Sequence, residues 1–169
     1  MRRLIFLTWA INLKLLILSK WKRSKVENKP EIFLDVNILI DIPDVERENH
    51  FYSREIFALT DKGLITASCS ILSFNIFFYI ARKKLGNKAA TDYMALFLEI
   101  IKVIPADINL ALQAIIEPVS NDFEDSLQYY SALQIKNIDY IVTANTKDFK
   151  KSKVSVITPL QFLRIYQSK

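Results

Sequence analysis

Four side chains in this sequence combine the right types and spacing for metal-assisted chemistry. Asp35 interrupts the apolar stretch EIFLDVNILIDI, residues 31–42. A carboxylate inside a strand that is apolar on both faces costs several kcal/mol unless something binds it. Asp122 and Asp125, in NDFEDSLQYY, are three residues apart and fall on one face of a helix. Asn145 follows directly on YIVTA. Gathered in one place, such carboxylates would repel one another and stay partly protonated until a cation filled the gap, and hard oxygen donors select Mg²⁺ or Mn²⁺ over zinc. Asp35, Asp122, Asp125 and Asn145 are therefore the candidate catalytic residues.

For these side chains to meet, the elements carrying them must converge. Apolar runs bounded by turn residues alternate with segments of helical period, the pattern of a mainly parallel sheet covered by helices. The expected strands are 32–36, 64–68, 102–104, 139–143 and a short 154–157, and the expected helices are 50–61, 70–84, 87–101, 107–117, 122–135 and 159–167. Gly63 and Gly86 stand where helices should stop, and Pro105 and Pro159 stand at strand exits or helix starts. In an open α/β sheet, reacting groups collect beyond the carboxyl ends of the strands. Asp35 and Asn145 lie at that end of two strands, and the helix opened by Asp122 and Asp125 leads into the second of them.

Each residue also has a purely structural reading, and pattern alone leaves these readings open. Asp122 and Asp125 suit a helix N-cap and first turn, Asp35 with Asn37 suits a backbone-bonding strand exit, Asn145 suits a turn, and Lys147, Lys150, Lys151 and Lys153 suit a solvated loop.

Composition removes several alternatives. His50 is the only histidine and Cys69 the only cysteine among 169 residues, which excludes intramolecular disulfides, His/Cys zinc sites and most mechanisms built on an imidazole base. The lone Cys69 reads as a small core side chain in a reducing, cytoplasmic setting. The net charge of +5 is unevenly spread. Residues 1–29 hold eight Lys and Arg against Glu27, a balance of +7, so the remainder carries −2. The basic character thus belongs to an extension over residues 1–29, followed by one domain over 30–169. Within the extension, the apolar run Leu4–Leu18 is short for a membrane span and contains Asn12 and Lys14. An interfacial anchor giving membrane contact, a helix packing on the body or a partner, and an upstream segment without function all remain open.

With these residues identified, the chain resembles the PIN-domain family, whose members include the VapC-type ribonuclease toxins of toxin–antitoxin pairs. The resemblance covers about residues 31–163 and rests on FLDVNILID, DFEDSLQYYSAL and DYIVTANTKDFKKSKVSVITPLQFL. It implies a three-layer α/β/α fold with an acidic Mg²⁺ or Mn²⁺ site that hydrolyses RNA, and a small antitoxin protein as partner; association into a homodimer stays open. Asp35 corresponds to the first-strand metal ligand and Asp125 to the acid of the late helix. Asn145 falls where many members carry a last aspartate. The glutamate usual on the helix after the second strand has no counterpart in SILSFNIFFYI, where Asn75 stands nearest. One ion is therefore expected rather than a symmetric pair. Asn37, Asn75 and Thr143 would surround and orient the acids, and Lys147 and Lys150 would hold RNA phosphates. Two other readings compete. One is an inactive PIN-like module that binds RNA or an antitoxin. The other is a phosphoryl-transfer protein with Asp35 as nucleophile, disfavoured because the second acid such phosphatases carry two residues on is here Asn37.

Overall fold

The computed structural model describes residues 29–168. The extension expected over residues 1–29, with its apolar run Leu4–Leu18, lies almost wholly outside them. Among the described residues no helix is long and apolar enough to cross a membrane.

Strand β1 (Glu31–Leu34) is followed by α1 (Val36–Asp41) and α2 (His50–Asp61), then by β2 (Thr66–Ser70) and the helical pair α3 (Ile71–Leu85) and α4 (Asn87–Ile100). Strand β3 (Lys102–Ile104), α5 (Ile108–Ile116), α6 (Phe123–Leu133) and β4 (Tyr140–Val142) come next. A 3₁₀ turn (Thr146–Phe149), β5 (Ser155–Ile157) and α7 (Pro159–Gln167) complete the chain. The five strands form one sheet in the order β3-β2-β1-β4-β5, every pair parallel. A parallel central sheet with helices is what the sequence pattern predicts, and it agrees with the three-layer α/β/α fold that the family resemblance implies.

Alternation along β1 divides the core between the two faces of the sheet. Ile32 and Leu34 point into the larger core, with Phe77 of α3, Phe97 of α4 and Phe162 of α7. Phe33 points into the smaller one, with Ile141 of β4, Tyr129 and Ala132 of α6 and Phe149 of the 3₁₀ turn. The residues Ile32, Phe33 and Leu34 are fully buried, which explains why this strand is a continuous apolar run rather than an alternating one. Cys69 is buried in the larger core, where the surroundings raise its thiol pKa.

Local chemistry sets the helix ends. Ser70 caps α3 by accepting from the Leu72 N–H at 3.2 Å, and Asp107 caps α5 by accepting from the Leu110 N–H at 2.9 Å. Thr158 and Gln161 form a reciprocal capping box around Pro159 at the start of α7. Gly86, at φ +84°, makes the corner between α3 and α4.

Two boundaries differ from expectation. The strand expected over 32–36 ends at Leu34, and the chain turns at once into helix α1. Val36, Ile38 and Ile40 are β-branched and favour strand locally, but Val36, Ile38 and Leu39 are all buried against the larger core, a helical burial pattern that only the packing reveals. The strand expected over 64–68 forms two residues later, because its ladder with β1 starts at Thr66 opposite Glu31.

Candidate active site

Strand order places the candidate crevice. The chain leaves β1 toward β2 and β3 on one side and returns to β4 and β5 on the other, so the carboxyl ends of β1 and β4 flank the point where the direction reverses. Asp35 leaves β1 at this point, its N–H donating to the Val142 carbonyl of β4 at 3.1 Å. Its side chain is 2 % exposed.

The Asp35 carboxylate is held from one side only. Oδ2 accepts from the Thr143 hydroxyl at 2.6 Å and from Asn37 Nδ2 at 3.0 Å. Oδ1 is buried with no hydrogen-bond partner. Burial pushes the Asp35 pKa upward, opposed first by the hydrogen bond from Thr143 and then by that from Asn37, with the polar groups of Gln128 and Val36 in the surroundings adding to the opposition. A buried anionic oxygen without a donor is costly unless a cation meets it.

The late helix brings further carboxylates. Asp125, in the first turn of α6, accepts from the Ser120 hydroxyl at 3.0 Å. Partial burial raises its pKa to about 6 against that hydrogen bond, and the charges of Asp35, Asp122 and Asp148 add to the rise. Glu124 is raised as well, by burial first and then by Asp35, Asp122 and Asp125. Three segments distant in sequence thus deliver carboxylates near enough to oppose one another's ionisation.

The remaining candidates take varied places. Asp122 is exposed and caps α6, its Oδ1 accepting from the Glu124 N–H at 2.8 Å. Asn145 is exposed at the rim, donating its side-chain amide to Asp148 and its backbone N–H to the Thr143 oxygen at 3.0 Å. Thr143 therefore links the rim to Asp35. Lys147 and Lys150 are exposed on the adjoining 3₁₀ turn, which Phe149 anchors in the smaller core. Asn75 is exposed on α3, and among the described hydrogen bonds none joins it to Asp35 or Asp125.

Sequence reasoning did not single out Glu124, Gln128 or Asp148. Gln128 is 1 % exposed; its Oε1 accepts from the Val36 N–H at 3.2 Å, and its Nε2 donates to Glu124 Oε1 at 2.9 Å. A visible signal existed in the i, i+4 pairing of Glu124 with Gln128 on a helix already bearing Asp125.

The donor set suits a hard divalent ion. Among the described residues no three carboxylate, imidazole or thiolate groups are arranged to enclose a metal ion by themselves. Mg²⁺, however, keeps several waters and needs only one or two protein carboxylates, and the partnerless Oδ1 of Asp35 beside mutually opposed acids offers that. A separate cavity of about 490 Å³ between α2, α4 and the end of α1 is lined by residues such as Ile42, His50, Phe57 and Tyr93. None of the acids around Asp35 lines it, so it is distinct from this crevice.

No family model matches the chain. The chain is 29% identical over 143 residues to Ribonuclease VapC1 of Aquifex aeolicus, covering 80% of this chain and 94% of that protein. Among solved structures, VapC20 of Mycobacterium tuberculosis, a toxin that cleaves the sarcin–ricin loop, superposes with a TM-score of 0.58 at 15% identity, covering 73% of this chain and 95% of that one. The DNA-bound VapBC of Salmonella typhimurium gives a TM-score of 0.56 at 17% identity, covering 77% and 98%. Strand order and these similarities agree: the chain has the fold of the VapC toxins and is similar in sequence to Ribonuclease VapC1 over most of its length.

Proposed function

We propose that this protein is a Mg²⁺- or Mn²⁺-dependent endoribonuclease and the toxin of a toxin–antitoxin pair. The observation that carries the reading is the buried, partnerless Oδ1 of Asp35 at the reversal point of the sheet, beside the carboxylates of α6. The relative named as a ribonuclease supports the reaction class, and the neighbours solved as VapBC complexes support a small antitoxin partner.

Asp35 and Asp125 would hold the ion, with water completing its shell. When bound, the ion supplies neutralisation of the charge growing on the scissile phosphate and a water of lowered pKa. The chain's own residues do the rest. Thr143 and Asn37 fix the Asp35 carboxylate through Oδ2 and leave Oδ1 free to act. Ser120 orients Asp125. Lys147 and Lys150 meet phosphates flanking the cleaved bond, and Phe123, 48% exposed beside the acids, offers a face on which a base can stack.

The test is cleavage of RNA by the purified full chain with Mn²⁺ or Mg²⁺. Cleavage should stop on chelation and in Asp35→Ala, and Asp125→Ala should lower it by orders of magnitude. Cleavage that persists in both variants overturns the acidic-site mechanism. The absence of a glutamate from SILSFNIFFYI favours a second reading, a PIN-like module that binds RNA or its antitoxin without cutting. RNA or antitoxin binding with no cleavage under any metal condition would select it.

A further inference from the structure

The cavity between α2, α4 and the end of α1 stands apart from the Asp35 crevice and is walled largely by apolar side chains, among them Ile42, Phe57, Tyr93 and Ile100. Val45 and Leu96, which also line it, are 71 % and 39 % exposed, so apolar surface continues outward over its rim. The surroundings are acidic. Residues 42–61 hold five acids against Arg47 and Arg54, and residues 87–100 hold Asp92 and Glu99 against Lys88. These two segments carry −4, whereas the rest of 30–169 carries +2. One end of the cavity lies close to where β1 begins. Thr66, five residues after the lining Asp61, donates its N–H to the Pro30 carbonyl at 2.8 Å, and Lys102, two residues after the lining Ile100, brings Nζ to 3.8 Å from the Glu31 carboxylate.

We propose that the apolar run Leu4–Leu18 of this same chain seats in that cavity, with the basic residues on either side of the run set against the acids around it. Arg2 and Arg3 precede the run, and Lys20, Lys22 and Arg23 follow it, so its ends complement the acidic rim while its middle matches the apolar wall. The connector is long enough. Residues 19–29 span up to about 36 Å when extended, against about 18 Å for the whole length of α2. Tethered in this way, the run meets the cavity at an effective concentration on the order of mM. The competing occupants are a membrane surface for the run and a second copy of the chain for the cavity.

Tryptophan fluorescence reads this directly, because Trp9 lies in the run, Trp21 lies just beyond it, and the rest of the chain has none. In the full-length chain carrying Trp21→Phe, Trp9 emission should lie to the blue of free tryptophan, resist quenching by acrylamide, and stay unchanged on dilution. Val45→Arg with Leu96→Arg places positive charge on the rim and should return both readings to those of an exposed tryptophan. Val45→Arg alone, at a side chain 71 % exposed, should do so in part, and it decides the matter if the pair lowers stability. Emission of an exposed Trp9 in the Trp21→Phe chain, or a blue shift untouched by either rim variant, overturns the proposal. A blue shift lost on dilution assigns the run to a second copy, and one that appears only with anionic lipid vesicles assigns it to a membrane; either result overturns docking within the chain.

Discussion

Thr143 is the residue whose loss should reveal how Asp35 is tolerated. Its hydroxyl is fully buried and donates at 2.6 Å to the carboxylate oxygen that is already partnered. Thr143→Val keeps the shape and leaves Asn37 as the side-chain donor to that oxygen, so stability should fall by about 1–3 kcal/mol. The measurement is the midpoint of urea unfolding with an unchanged slope. Asp125 makes a second prediction, in pH. Its pKa rises on folding from 3.8 to about 6. A carboxyl raised in this way favours the folded state while protonated; that contribution is complete below the unfolded value and lost as pH rises through about 6. The metal-free protein should therefore melt at a lower temperature at pH 7.5 than at pH 5, and Mn²⁺ should raise melting most at the higher pH. Asp125→Asn should flatten the metal-free dependence between those values.

The short helix α1 and the segment after it depend on one buried acid. Asp41 ends α1 at 1 % exposure, where it pairs with Arg47, accepts from the Ser53 hydroxyl at 2.9 Å, and offers its carbonyl to His50 Nδ1 at 2.9 Å. This cluster joins the exit of α1 to the first turn of α2 and so fixes the helix that begins next to Asp35. Arg47→Ala leaves the carboxylate buried with less compensation and should cost about 2–3 kcal/mol, toward the low end for a broken buried pair because Arg47 is itself partly exposed. Adding Asp41→Asn to that variant should restore part of the loss, a coupling readable from a double-mutant cycle. An additive result would show that the pair does not stabilise α1. The lone histidine thus makes a structural bond to the exit of α1.

At the scale of the whole chain, charge and site are separated. Residues 1–29 carry +7 and the remainder −2, while Lys147 and Lys150 are exposed on and just after the short turn that follows Asn145. Removing residues 1–28 should lower RNA affinity at low salt and shallow the plot of log affinity against log salt by about 2 or more, equivalent to some three phosphate contacts at ~0.7 each. The dependence of cleavage on Asp35 should remain. An unchanged slope would mean that the phosphate contacts reside on the folded body, and Lys147→Ala with Lys150→Ala should then remove them.

Much of this architecture is legible from local pattern. Apolar runs and helix caps follow from neighbours within a few residues, so the sheet class, most elements and the anomaly of a carboxylate at Asp35 can be read from the chain alone. The acids at Asp35 and Asp125 stand out for the same reason, each breaking or opening an element whose period is visible. Tertiary structure alone decided the rest. Val36–Asp41 is helical because the larger core accepts Val36, Ile38 and Leu39 together, against a β-branched preference for strand. Asp122 becomes a cap, and the Gln128 amide reaches Val36 across 92 residues while also holding Glu124. Thr143 meets Asp35 across 108 residues. Such meetings depend on strand order and on the crossing of helices over a sheet, and spacing along one chain carries no record of either until the chain has folded.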